Sequence, residues 1–228
     1  PEYAQHPQTH AGASLVYLPL KANGAQSIPY DMLGLVHAVR RADCLLLLGV
    51  SGCVALPVFR LFSRKPLIVN IDGLEWRRDK WRGPLKWFLK FSEAMAVRFA
   101  DHVVTDNKVI QDYVMAEYGR PSELIAYGGN QAAHVALDAH DLQAWPFAAN
   151  RFSFSVCRIE PENNIHIILQ AYASSELCLV IVGNWENSQY GLELKHDYSG
   201  YGNIHLLDPI YDPDRLNRLR SNCSLYVH

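Results

Sequence analysis

Several short stretches of the chain set small, acidic, amide or basic residues directly behind apolar runs. They are Gly49-Val50-Ser51-Gly52, Asp72-Gly73-Leu74-Glu75-Trp76, Asp106-Asn107, Gly128-Gly129-Asn130, Cys157-Arg158, Gly183-Asn184 and Asp208-Pro209. Such residues suit sugar hydroxyls and phosphates. A carboxylate at Asp72 or Glu75 can orient a hydroxyl and take its proton. The Arg158 guanidinium can fork onto phosphate oxygens. Each also has a plain structural reading: Asp72-Gly73 is a turn, Glu75 pairs with Arg77 or Arg78, and Arg158 pairs with Glu160 or Glu162. Asp106-Asn107 reads better as a helix cap, and Asn164 reads equally as one. Neither G-x-G-x-x-G nor G-x-x-x-x-G-K-[ST] occurs, so no nicotinamide fingerprint and no P-loop is present.

The stretch from Glu75 to Arg98 interleaves Arg77, Arg78, Lys80, Arg82, Lys86, Lys90 and Arg98 with Trp76, Trp81, Trp87, Phe88 and Phe91. Basic and aromatic residues on one segment suit an anionic membrane surface. An amphipathic helix with its aromatics in the core gives the same pattern. Five cysteines, at 44, 53, 157, 178 and 223, form no C-x-x-C pair, so neither a zinc ribbon nor a disulfide framework is expected. Cys44 and Cys178 open apolar strands and are expected as buried, reduced thiols. The histidines show no Cys or carboxylate partner at metal-ligand spacing, and no metal or other cofactor is expected.

These residues need elements to position them, and the pattern is alternating strand and helix. Strands are expected at Leu15–Leu18, Cys44–Leu48, Leu67–Ile71, His102–Thr105 and Glu123–Tyr127, with helices at Tyr30–Arg41, Val54–Phe62, Pro84–Ala100 and Lys108–Tyr118. The rhythm lapses over 130–150 and restarts with strands Phe152–Val156, Leu177–Val182, Asn203–Leu207 and Ser224–Val227, and helices Asn164–Ala173 and Asp214–Arg220. Apolar strands that alternate with helices predict doubly wound parallel sheets, whose ligands sit beyond the carboxyl ends of the strands. The expected organisation is an N-terminal Rossmann-like domain over 1–135 and the first half of a second over 136–228.

Composition narrows the class. With 49% hydrophobic residues and a net charge of −2, the chain is globular rather than disordered. The near-neutral charge argues against nucleic acid as a partner. No apolar run reaches the ~20 residues of a membrane span. Scattered thiols and no export signal point to the cytoplasm.

Four strings are distinctive: Val69-Asn70-Ile71-Asp72-Gly73-Leu74-Glu75-Trp76-Arg77-Arg78-Asp79-Lys80-Trp81, Ala100-Asp101-His102-Val103-Val104-Thr105-Asp106-Asn107, Ile125-Ala126-Tyr127-Gly128-Gly129, and Cys157-Arg158-Ile159-Glu160-Pro161-Glu162-Asn163-Asn164-Ile165. In this order they resemble the bacterial rhamnosyltransferase group of the retaining family-four glycosyltransferases. The resemblance implies a GT-B fold with an acceptor-side first domain and a nucleotide-sugar-side second domain. It also implies transfer of a deoxyhexose, L-rhamnose from dTDP-rhamnose, to a polyprenyl-diphosphate-linked sugar in O-antigen or capsule assembly. The acceptor lipid implies a site on the inner face of the cytoplasmic membrane, with Trp76, Arg77, Arg78, Lys80, Trp81 and Arg82 at its surface.

Carried over residue by residue, Asp72 and Glu75 fall where the family touches the transferred sugar or acceptor. Arg158 falls where it binds the donor diphosphate, and Asn163 replaces the usual Lys. Gly183, Asn184, Asp208 and Ile210 fall on the nucleotide side. Against the family the chain is expected to lack an opening strand with its Gly-rich loop. It is also expected to lack the loop and Glu-bearing helix that follow the last strand. The alternatives are a GT-B-type sugar epimerase and a non-catalytic nucleotide-sugar or lipid-binding module.

Overall fold

The computed structural model describes residues 6–20, 26–78, 81 and 83–228. By contacts the chain divides between Tyr127 and Gly128. In the first unit, β1 (Thr9–His10) and β2 (Ala13–Ser14) pair as an antiparallel hairpin. Ala11 (φ 48°) and Gly12 (φ 83°) form its tip, the positive-φ pair that matches strand twist. The strand expected over Leu15–Leu18 does not form. An apolar run becomes a strand only where a neighbour takes its backbone groups, and this ladder closes where the Leu15 N–H meets the Gln8 carbonyl at 2.8 Å.

Helix α1 (Ser27–Val39) leads into β3 (Leu45–Leu48), and a 3-10 turn over Cys53–Ala55 enters α2 (Leu56–Phe62). Next come β4 (Leu67–Ile71), a 3-10 turn at Glu75–Arg77, α3 (Pro84–Phe99) and β5 (His102–Thr105). Helix α4 (Lys108–Tyr118) starts at Asn107, whose side chain accepts the Ile110 N–H at 3.0 Å, and ends at left-handed Gly119. It returns to the short β6 (Glu123–Leu124). The four strands are parallel in chain order, β3-β4-β5-β6.

Right-handed crossovers that always step the same way stack their helices on one face. That face holds the core: Leu45, Leu67, Val69, Ile71 and Val103 pack under Leu56, Ala96, Val97, Ile110 and Val114. The opposite face carries Leu46 and Leu48, exposed by 58% and 75%. Cys44, expected as buried, is exposed because it precedes the first paired residue, Leu45, on the edge strand. The buried thiol of this unit is Cys53, pushed up to about 12 by burial and the nearby Asp31 carboxylate.

The second unit opens with α5 (Ala139–Ala144), started by a capping box between Asp138 and Asp141, and a 3-10 turn at Pro146–Ala149. Strand β7 (Ser153–Val156) is followed by α6 (Ile165–Ala173), β8 (Leu179–Val182), α7 (Gln189–Tyr198), β9 (Ile204–Leu207), α8 (Pro213–Asn222) and β10 (Leu225–Tyr226). All pairs are parallel, in the order β10-β7-β8-β9. The steps β7→β8→β9 go one way, and β9→β10 goes back past β7. Helices therefore cover both faces. Leu179 and Ile181 pack with Ile165, Leu169 and Leu194 on one side, while Val180 and Val182 pack with Phe152, Phe154 and Leu219 on the other. Cys178 is half-buried. No helix among the described residues is long and apolar enough to cross a membrane.

Candidate functional site

In an open parallel sheet, the crevice for ligands lies where strand order reverses, beyond the carboxyl ends of the strands flanking the reversal. In the second unit that place is β7 beside β10. A polar hollow of about 200 Å³ occupies it, lined by Ser155, Cys157, Glu162, Asn163, Asn164, Ile165, Ile168 and His228. Asn164 and Ile165 begin the nine-residue α6, so the positive end of a helix dipole faces the hollow. Asn164 starts this helix by conformation (φ 52°) and not with its side chain. Burial raises the Cys157 thiol pKa and a hydrogen bond with Ser155 partly offsets this, so the thiol is a neutral wall group.

Asn163 and Arg158 are brought together here: the Asn163 amide donates to the Arg158 carbonyl at 2.7 Å. The Arg158 side chain is 71% exposed, and its contact to Glu160 is long at 3.9 Å. An exposed, loosely paired guanidinium retains its capacity for phosphate. Of the nucleotide-side candidates, Gly183 lies against the residues that flank Arg158, and Ile210 and Asp208 are held elsewhere. Gly183 is buried, and a Cβ there would lie 2.5 Å from Ile159 Cδ1 and 2.9 Å from the Cys157 carbonyl, so packing requires glycine. Ile210 packs with the core around Phe152 and Val180. Asp208 holds Lys195 at 3.0 Å, and Asn184 is exposed behind β8. Ser155, Glu162 and His228 went unrecognised as wall residues, His228 because no local pattern reports that the last strand returns beside β7.

Residues 10–130, just over half of the chain, match the family described as "Domain of unknown function (DUF1972)". The chain belongs to this family. No curated protein matches it. Among solved structures it is similar to a sucrose-phosphate synthase of Thermosynechococcus elongatus, with a TM-score of 0.66 and 15% identity over 88% of this chain and 54% of that one. It is also similar to an E. coli structure described as trehalose-6-phosphate bound with UDP-2-fluoro glucose (TM-score 0.58, 10% identity, 88% of this chain and 56% of that one). A third is a putative UDP-N-acetylglucosamine 2-epimerase of Listeria monocytogenes (0.53, 17%, 89% and 57%). The chain thus spans a little over half the length of these structures. The likenesses show the fold: α/β, GT-B-like, with Rossmann-like parallel-sheet units.

The matched region holds the first unit's candidates. Asp72 is exposed after β4 and makes no side-chain hydrogen bond among the described residues. Glu75 accepts from the Trp81 indole at 2.9 Å and pairs with Arg78 at 3.3 Å, tying its turn together. Arg77 is exposed and approaches the Trp76 ring at 5.0 Å, while Trp76 and Trp81 are half-buried. Lys80 and Arg82 lie outside the described residues. Trp87 and Phe91 on α3 are the exposed aromatics of this stretch, 71% and 41% exposed and stacked 5.8 Å apart. Asn107 caps α4, as its position suggested. Behind β3, the Ser51 hydroxyl donates to Asp31, whose pKa burial raises and that bond partly offsets.

One cluster was not anticipated. His140 lies with Asp138 and Asp141, all ligand atoms within 4.8 Å of one another. Arg218 already bridges both carboxylates, at 2.9 and 2.8 Å, and the two aspartates form the α5 capping box. Their charge is satisfied by the fold.

Proposed function

We propose that the protein is a retaining glycosyltransferase that uses a nucleotide-sugar donor. The reading rests on the polar hollow at the strand-order reversal, with the α6 N-terminus on its wall, and on Arg158, which follows the wall residue Cys157 and whose carbonyl accepts a hydrogen bond from the side chain of the wall residue Asn163. A diphosphate needs fixed N–H dipoles and a cation that neutralises charge as the bond to the sugar breaks. Arg158 serves as that cation and Asn163 orients its loop. The donor is dTDP-rhamnose. Asp72, unpartnered among the described residues, orients the acceptor hydroxyl, and Glu75 shapes the turn that carries it. The acceptor is a polyprenyl-diphosphate-linked sugar of O-antigen or capsule assembly. The stacked Trp87–Phe91 pair with Arg77 and neighbouring basic residues supports peripheral contact with an anionic leaflet on the cytoplasmic side. The first unit is the acceptor side and the second the nucleotide-sugar side.

Donor-hydrolysis assays of the full-length protein with dTDP-rhamnose, UDP-glucose and GDP-mannose test the reading. Release of nucleotide diphosphate from dTDP-rhamnose is expected, and turnover of another donor alone would sink the donor assignment. A second reading, sugar epimerisation, draws on Glu162 and His228 standing in one hollow, an acid–base pair of the kind that chemistry needs. A new epimer formed from the nucleotide sugar, without transfer, would favour it.

A further inference from the structure

Helix α3 carries a charged group that neither candidate site uses. The Lys90 ammonium lies 4.9 Å from the Trp76 ring centroid, 4.8 Å from that of Tyr113 and 4.9 Å from that of Tyr118. It pairs with Glu117 at 2.9 Å and Glu93 at 3.4 Å, and donates to the Tyr113 hydroxyl. Glu93 is fully buried and accepts the Tyr113 and Tyr118 hydroxyls at 2.5 and 2.6 Å. Burial pulls Lys90 down, but its bonds to Tyr113 and Glu117 and the Glu93 charge raise it overall. Burial and the bond to Glu93 push both phenols up, so they stay protonated donors.

Lys90 and Glu93 belong to α3, and Tyr113, Glu117 and Tyr118 to α4. The remaining wall, Trp76, comes from the Glu75–Arg77 turn, which follows Asp72. The Trp76 indole N–H is buried with no hydrogen-bond partner among the described residues. A buried, unmade hydrogen bond costs energy, so the ring must be held another way. The half-buried Lys90 ammonium supplies that hold from α3, beside the Arg77 guanidinium 5.0 Å from the same ring on the turn itself.

We propose that Lys90 is a positioning residue: its caged ammonium fixes Trp76 and thereby holds the Asp72–Arg78 segment against α3 and α4. The functional consequence rests on the reading of Asp72 as the acceptor-side carboxylate. The test uses the full-length protein labelled with 5-fluorotryptophan, the Trp76 resonance being assigned with Trp76→Phe. Lys90→Met is expected to move that resonance and to speed amide exchange over Gly73–Arg78 about tenfold, leaving the Trp145 and Trp185 signals in place. Lys90→Arg is expected to restore both. An unmoved Trp76 signal with unchanged exchange in Lys90→Met overturns the proposal, as does an Arg variant that behaves like Met. Should Lys90→Met fail to fold, Glu117→Gln must shift the same resonance by less, and no shift there also overturns it. Sugar transfer is measured in parallel. A shifted Trp76 with unchanged transfer upholds the positioning and removes Asp72 from the proposed site.

Discussion

The two parallel sheets are built from similar aliphatic strands, yet among the described residues the edge strand β3 of the first leaves one side exposed while helices pack on both faces of the second. In the first unit every described step, from β3 to β6, goes the same way, and Leu46 and Leu48 face away from the core. In the second, the return of β10 to the far side of β7 puts α8 opposite α6 and α7, and all four residues of β8 are buried. The reversal that closes the second face also opens the polar hollow at the strand ends. Coverage and ligand crevice thus share one cause, the direction of the crossovers.

The largest test of that contrast compares core truncations in the two sheets of this chain. Phe154→Ala, at a fully buried site, should destabilise the second unit by about 3–5 kcal/mol in urea unfolding. Leu48→Ala should stay within about 0.5 kcal/mol, as for other exposed positions. Comparable losses would show that the outer face of β3 is covered after all.

Next is the glycine behind each central strand. Gly183→Ala should cost about 1–3 kcal/mol through its collision with Ile159. Gly73, with nothing within 4 Å of its would-be Cβ, should accept alanine with little change.

The two helix starts give a smaller contrast. Asn107→Ala removes a side-chain cap and should cost about 1 kcal/mol. Asn164, which caps by its left-handed φ, should tolerate glycine and resist alanine. Thermal unfolding of the single variants checks both.

The smallest effect is acid-dependent. Arg60, with help from the Leu67 N–H, holds the Asp101 carboxyl below its usual 3.8. A carboxyl depressed on folding stabilises above its unfolded pKa, and that gain is lost as pH falls through the folded value. Arg60→Met should flatten this acid limb of the stability curve below about pH 4 and leave its slope at neutral pH unchanged.

How far these features could be read in advance depended on locality. Strands Leu67–Ile71 and His102–Thr105 and helix Lys108–Tyr118 were legible because apolar period and caps sit within each segment. Helix α7 was not, since its buried positions are Gly191 and Leu194, and glycine argues against a helix. Gly191 belongs there because a side chain would strike the Trp185 carbonyl, a contact invisible in one dimension. The same holds for the site. Arg158 and Asn163 came from the resemblance, whereas His228 joins Ser155 and Glu162 only because β10 pairs with β7. The basic, aromatic stretch was legible as an amphipathic helix with aromatics turned inward, and Lys90 and Trp76 do meet within the fold.

The central claim is that the hollow beside β7 and β10, with Arg158, receives the donor diphosphate. Calorimetric binding of dTDP to the full-length protein tests it most directly, using Arg158→Ala with Asp72→Asn as the control. The account predicts at least about tenfold weaker binding in Arg158→Ala, the loss of one charge-assisted contact, and unchanged binding in Asp72→Asn. Wild-type affinity in Arg158→Ala would contradict it.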